Sequence, residues 1–255
     1  MNYGKLKAKA RKSLSKNYKT LIPAVLFMIG LGFTAILISK IIDAKWISFP
    51  LALIVDALFM MGFIKMVSNG ARNRKIKLEQ LFSQTDQFFT YIGITLLAGL
   101  FIGVLCLLEA ISFKSLVVVV TYQAEINFTL SVFLIVFGLV LSTVIVLTII
   151  YMIISFSQAL FILNDEPKLN SRQALSMSFD MMEDYIVDYF LLVLSFIGWI
   201  IIGLFTFGLL YIWLVPYMYL TMAYFYEYIK KSYRKTINKE EIETIPNDKD
   251  VKEEK

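Results

Sequence analysis

The sequence predicts an all-α fold, a polytopic membrane bundle of six transmembrane helices with both termini cytoplasmic, and three observations predict it. Of 255 residues, 58% are apolar and only 18% charged, with a mean hydropathy of +0.69. A soluble domain carries about 45–50% and about 25%, so the excess apolar surface calls for a bilayer. The second observation is six apolar runs, each at least 20 residues long and so able to cross about 30 Å of hydrocarbon. The third is that Lys and Arg gather on one side of the resulting topology.

The leader, residues 1–19, carries Lys5, Lys7, Lys9, Arg11, Lys12, Lys16 and Lys19 around an apolar face of Tyr3, Leu6, Ala10 and Leu14. That pattern predicts an amphipathic helix at the membrane surface. The membrane domain covers residues 20–230. Its first span, 20–42, is longer than the apolar region of a secretory signal and is expected to be a retained anchor. The second, 47–67, contains Asp56 and Lys65, and the third, 88–108, is uncharged and stops at Glu109.

Residues 128–163 form 36 consecutive uncharged positions, about 54 Å as a single helix. They make either one overlong span or two short ones that reverse near Gly138 or Ser142-Thr143. Two runs follow, 186–205 and 209–229, separated by Thr206-Phe207-Gly208. Gly208 is expected to serve that reversal, and Pro216 to kink the last helix.

Counting the long run once places 21 of the 25 Lys and Arg residues on the same side as both termini. Counting it twice would send Lys230, Lys231, Arg234 and Lys235 outside, against the positive-inside rule, so one span is expected. Residues 110–127 become the main external segment, weakly strand-like at Val117–Thr121 or else an extension of the third helix. The segment 231–255 is a charged cytoplasmic tail, expected to be disordered because it has too few apolar residues for a core.

Composition also removes chemistry. The chain has no histidine and one cysteine, Cys106, which excludes an internal disulfide, Cys/His zinc sites and Ser-His or Cys-His dyads. No phosphate-binding glycine loop, HExxH or GxSxG motif occurs, and no catalytic residue, metal or cofactor is expected. Four acids remain as candidate functional polar groups. Asp56 lies nominally mid-span, where an ionised carboxylate costs about 2.5–3.5 kcal/mol or more. It is either a proton or cation relay or an interfacial group beside Lys40 or Lys45.

Asp180, Asp184 and Asp188 recur every four residues, as a cation or docking stripe or, the reading preferred here, a solvated face. Gly99 and Gly103 have the small-xxx-small spacing of close helix contact; packing within one subunit is expected rather than a seam between copies. Gly198 is grouped with them as a packing position.

The stretches Leu194-Ser-Phe-Ile-Gly-Trp199, Thr206-Phe-Gly208, Trp213-Leu-Val-Pro-Tyr217 and Ala223-Tyr-Phe-Tyr226 resemble an uncharacterised bacterial membrane family, domain of unknown function 975. Ala10-Arg11, Leu14, Asn17-Tyr18, Gly62, Gly70 and Leu81-Phe82 add to the resemblance, which covers about residues 5–230. It implies a six-span bundle in a bacterial plasma membrane and supplies no activity. The function expected is a non-enzymatic accessory or scaffold of the cell envelope. The alternative is a small transporter or lipid-handling permease, disfavoured because ionisable groups inside the spans are scarce. Expected partners are the bilayer, anionic lipid head groups at the cytoplasmic face, and a membrane protein or second copy of the chain, with no nucleic acid.

Overall fold

A computed structural model describes residues 1–41, 45–122 and 127–244. Among them the chain is helical, with no strand. The helices are α1 (Tyr3–Ile41), α2 (Lys45–Ala71), α3 (Phe88–Thr121), α4 (Phe128–Phe156), α5 (Ala159–Asp165), α6 (Ser171–Met182), α7 (Ile186–Leu194), α8 (Ile197–Phe205) and α9 (Tyr211–Thr244). Short 3₁₀ turns cover Leu78–Phe82, Thr85–Gln87 and Glu183–Tyr185.

Among the described residues five helical stretches are long and apolar enough to cross a membrane: Tyr3–Ile38, Leu53–Ala71, Leu78–Thr121, Phe128–Asp165 and Ser171–Phe205. α9 is not among them. Its first half holds Tyr211, Tyr217, Tyr219, Tyr224, Tyr226 and Tyr228, which lower the hydropathy of a helix as long as α3. They are tolerated because α9 is the helix the others surround, packing against α1, α2, α6 and α8. Leu214, Tyr217, Leu220, Phe225, Tyr226 and Ile229 are all buried in that core.

Several elements run further than their sequence signals. The leader and first span are one continuous helix, α1. α3 continues through Val117–Thr121 as helix rather than strand: β-branching costs only about 0.7 kcal/mol or less per residue, and in an apolar setting a helix satisfies its own backbone groups. α9 continues to Thr244, so the first part of the expected tail is helical; no Gly or Pro interrupts it after Pro216. Residues 245–255 lie outside the described residues.

α4 passes without a break through Gly138, Ser142 and Thr143, where the Thr143 hydroxyl donates back to the Leu139 carbonyl. The uncharged run therefore does not reverse there. It breaks later, at Ser157-Gln158, and Ser178 of α6 covers the break. The Ser178 hydroxyl donates to the Ser155 carbonyl at 2.6 Å and accepts from the Gln158 amide at 3.2 Å. α6 itself starts on a reciprocal cap, in which Asn170 accepts from the Gln173 amide and the Gln173 side chain accepts from the Asn170 amide.

Close packing falls on glycines other than those their spacing picks out. A Cβ at Gly99, Gly103 or Gly198 would meet nothing within 4 Å beyond its own stretch of helix, so packing against another helix of this subunit is not what these three provide. The tight approaches are at Gly62 against the Leu81 backbone, Gly70 against Leu220 and Ser13, Gly93 against Ser171, and Gly203 under the Tyr211 ring. Gly208 does stand at the α8–α9 reversal with φ +85, preceded by Phe207 at φ 51. Pro216 sits in the second turn of α9, which remains helical around it.

Candidate functional site

The ends of two helices, α2 and α5, meet the middle of α9 at one place. α2 finishes in a left-handed turn: the Arg74 amide bonds the Asn69 carbonyl at 2.8 Å, the Asn73 amide bonds the Gly70 carbonyl, and Asn73 has φ 55. This six-to-one plus inner bond pattern tolerates Asn at the positive-φ position and satisfies the last carbonyls of the helix. It fixes Arg72 at the end of α2 and turns Arg74 and Lys75 back toward α1. α5 ends at Asp165, where Pro167 two residues later prevents continuation. In α9, Tyr226, Glu227 and Lys230 lie within one turn or so of one another.

These side chains form a closed charge network. Arg72 Nε donates to Glu227 Oε1 at 2.6 Å and its Nη2 to Asp165 at 2.6 Å. Lys230 Nζ donates to Asp165 Oδ2 from the other side, and the Tyr226 hydroxyl donates to the same oxygen at 3.0 Å. The Asp165 side chain is 4% exposed and that of Lys230 13%. A carboxylate so buried would be very costly alone; two cations and a phenol satisfy it. Burial opposes the charge on Arg72, but its hydrogen bonds and proximity to Asp165 and Glu227 outweigh that, holding the guanidinium above its ordinary range. Tyr226 is itself stacked on Phe161 of α5 with ring centres 5.5 Å apart, so the phenol is aimed by packing.

Beside this network opens a crevice of about 1040 Å³ between the first turns of α1, the loop after α2 and the Tyr224–Lys231 part of α9. A smaller recess of about 400 Å³ adjoins the network on the side of Arg234.

The acids singled out from the sequence are elsewhere. Asp56 falls within α2, but its side chain lies outside the described residues. Asp180 and Asp184 are exposed. Asp188 accepts a hydrogen bond from the Tyr3 hydroxyl and lies 4.0 Å from the amino terminus, so it anchors the start of α1. The three do not share one helix: Asp180 is in α6, Asp184 in the 3₁₀ turn and Asp188 in α7, and the tighter turn shifts the helical phase between them. Among the described residues no three acids or cysteines gather closely enough to hold a metal ion.

Sequence reasoning missed Asp165, Glu227 and Tyr226. Their signal was positional: an acid that closes the longest uncharged run, and a Glu-x-x-Lys pair at the C-terminal end of the last apolar run.

Fold and site together define an all-helical protein with several helices able to cross a membrane, cinched at one end by a buried charge network. The chain belongs to the family described as protein of unknown function DUF975, whose model matches residues 1–233. No curated protein and no solved structure matches it.

Proposed function

We propose that this chain is a six-span protein of the bacterial plasma membrane with both termini cytoplasmic, acting as a non-enzymatic accessory or scaffold that engages anionic lipid head groups. The first half of α9 is the sixth span, shielded from lipid by its neighbours. The observation that carries the scaffold reading is the Arg72–Asp165–Glu227–Lys230 network. Its charges neutralise one another and tie α2, α5 and α9 together, which suits a structural clamp better than a group that must take up and release a proton or substrate.

The topology is tested by removing Cys106 and placing single cysteines at Ser83, Ser115, Ser171 and Asn247. An impermeant thiol reagent applied to intact cells is expected to label Ser115→Cys alone. Labelling of Asn247→Cys would overturn the even span count. Proton-driven solute flux in reconstituted vesicles that disappears in Asp56→Asn would overturn the scaffold role.

A further inference from the structure

We infer that the crevice between α1, the loop after α2 and α9 is a binding site for a ligand bearing two or more phosphate groups. The inference extends the head-group contact proposed above to a built site, and only its lipid form depends on the membrane placement.

The walls are cationic on three sides. Lys9, Lys12 and Lys16 follow one another along a face of α1, Arg74 and Lys75 come from the loop fixed by the Asn73 turn, and Lys231 comes from α9. None of these six has an ion-pair partner among the described residues. Glu227 is the single acid on the lining, and Arg72 already holds it.

On the floor one backbone acceptor is already occupied: the Gly70 carbonyl accepts from the Ser13 hydroxyl at 3.1 Å and from the Tyr224 hydroxyl at 3.5 Å. Six unpaired like charges around one cavity repel each other, and a multivalent anion removes that repulsion while gaining charge-assisted hydrogen bonds. The volume, about 1040 Å³, is at the upper end of the range of small-molecule sites, about 300–1,000 Å³. A lone phosphate would reach one wall, whereas a polyphosphate or a two-phosphate lipid head group spans them.

The test uses the full chain in phosphatidylcholine nanodiscs, titrated with tripolyphosphate by calorimetry. In parallel, nanodiscs of phosphatidylcholine with cardiolipin are assayed for cardiolipin retained by the protein. The crevice variant is Lys9→Gln/Lys12→Gln/Lys16→Gln. The control removes three charges outside the crevice, as Lys114→Gln/Lys168→Gln/Arg172→Gln; all six side chains are exposed, so both variants should assemble.

The crevice variant is expected to weaken binding by about tenfold or more, because direct phosphate contacts are lost. The control should change it by about twofold or less, since these side chains do not line the crevice and exposed charges are screened by salt. Tripolyphosphate binding that follows this pattern identifies a soluble ligand, and cardiolipin retention that follows it identifies a lipid. Failure of the wild type to bind either, or equal losses in the two variants, would overturn the site. Cysteine labelling is unaffected by these outcomes, so a failed site and a failed topology are told apart.

Discussion

The most apolar stretch within Leu53–Ala71 of α2 has a mean hydropathy of 1.4 and is 59% buried against the rest of the chain, whereas that of Phe128–Asp165, which α4 dominates, reaches 2.9 and is 6% buried. α3 resembles α4, at 2.5 and 11%. The more apolar helices are thus the ones with fewer protein neighbours. In lipid this ordering has a simple cause. Hydrocarbon tails are as apolar as leucine, so nothing drives α3 and α4 to hide their Leu, Ile and Phe side chains. A helix facing the tails must be apolar all round, while one surrounded by protein can carry hydroxyls, phenols and charges, provided each finds a partner. α9, with buried Tyr217, Thr221 and Tyr226, extends the trend to its end.

The contrast is most easily broken at the charge network. Asp165→Ala leaves Arg72 and Lys230 buried without their shared acceptor and is expected to cost about 3–5 kcal/mol, the usual penalty for removing one partner of a buried ion pair. Asp180→Ala, at an exposed acid, should change stability by about 0.5 kcal/mol or less. Thermal unfolding of the two variants in the same detergent measures the difference, and equal midpoints would mean that the network is not a clamp.

Glycines sharpen the same comparison. Gly62→Ala drives a methyl group into the Leu81 backbone, which cannot rotate away as a side chain would, and overpacking of this kind costs about 1–3 kcal/mol. Gly99→Ala adds a methyl group that meets nothing within 4 Å beyond its own stretch of helix, and should be neutral or slightly stabilising as a helix former. A loss at Gly99 comparable to that at Gly62, appearing only at high protein concentration, would show that a second copy covers that face.

How much of this was legible depends on whether a feature is local. Apolar runs and the Gly208 reversal are written in consecutive residues: among the described residues five of the six runs fall in stretches long and apolar enough to cross a membrane, and Gly208 stands at the α8–α9 reversal. The charge network joins residues 93 and 155 positions apart, and no pattern in one stretch announces it. Asp165 reads locally as part of the polar Asn164–Pro167 turn. The Gly99 and Gly103 spacing marks a smooth helix face but does not say whether protein or lipid lies against it. The aspartate period of four failed for another reason: it assumes one helix, and the 3₁₀ turn at Glu183–Tyr185 resets the phase.

Tyr226→Phe is a milder probe of the clamp. It removes one neutral donor from a charged acceptor that keeps two cations, so a loss of about 1.5 kcal/mol is expected, at the low end for hydrogen bonds to ionised groups. The ring and its stacking on Phe161 remain, which separates the hydrogen bond from the packing. A loss as large as that of Asp165→Ala would place the stability in the aromatic stack instead.

The smallest expected effect lies in the α3–α4 pair, where one polar link joins two helices that otherwise meet through apolar side chains. The Ser142 hydroxyl donates to Glu109 Oε1, while Oε2 is buried with no hydrogen-bond partner. Desolvation alone would make a polar contact between helices in hydrocarbon strong, because the alternative is an unsatisfied group. The dissociated helices, however, also find partners for their polar atoms, in water defects or at the interface, so such links average about 0.6 kcal/mol in double-mutant cycles. The cycle of Glu109→Ala and Ser142→Ala is expected to give a coupling of about that size, read from unfolding in bicelles. A coupling near that of the Asp165 network, about 3 kcal/mol or more, would mean that α3 and α4 are held as the charged end is held. The difference between the two regions would then be one of composition only, not of how each is stabilised.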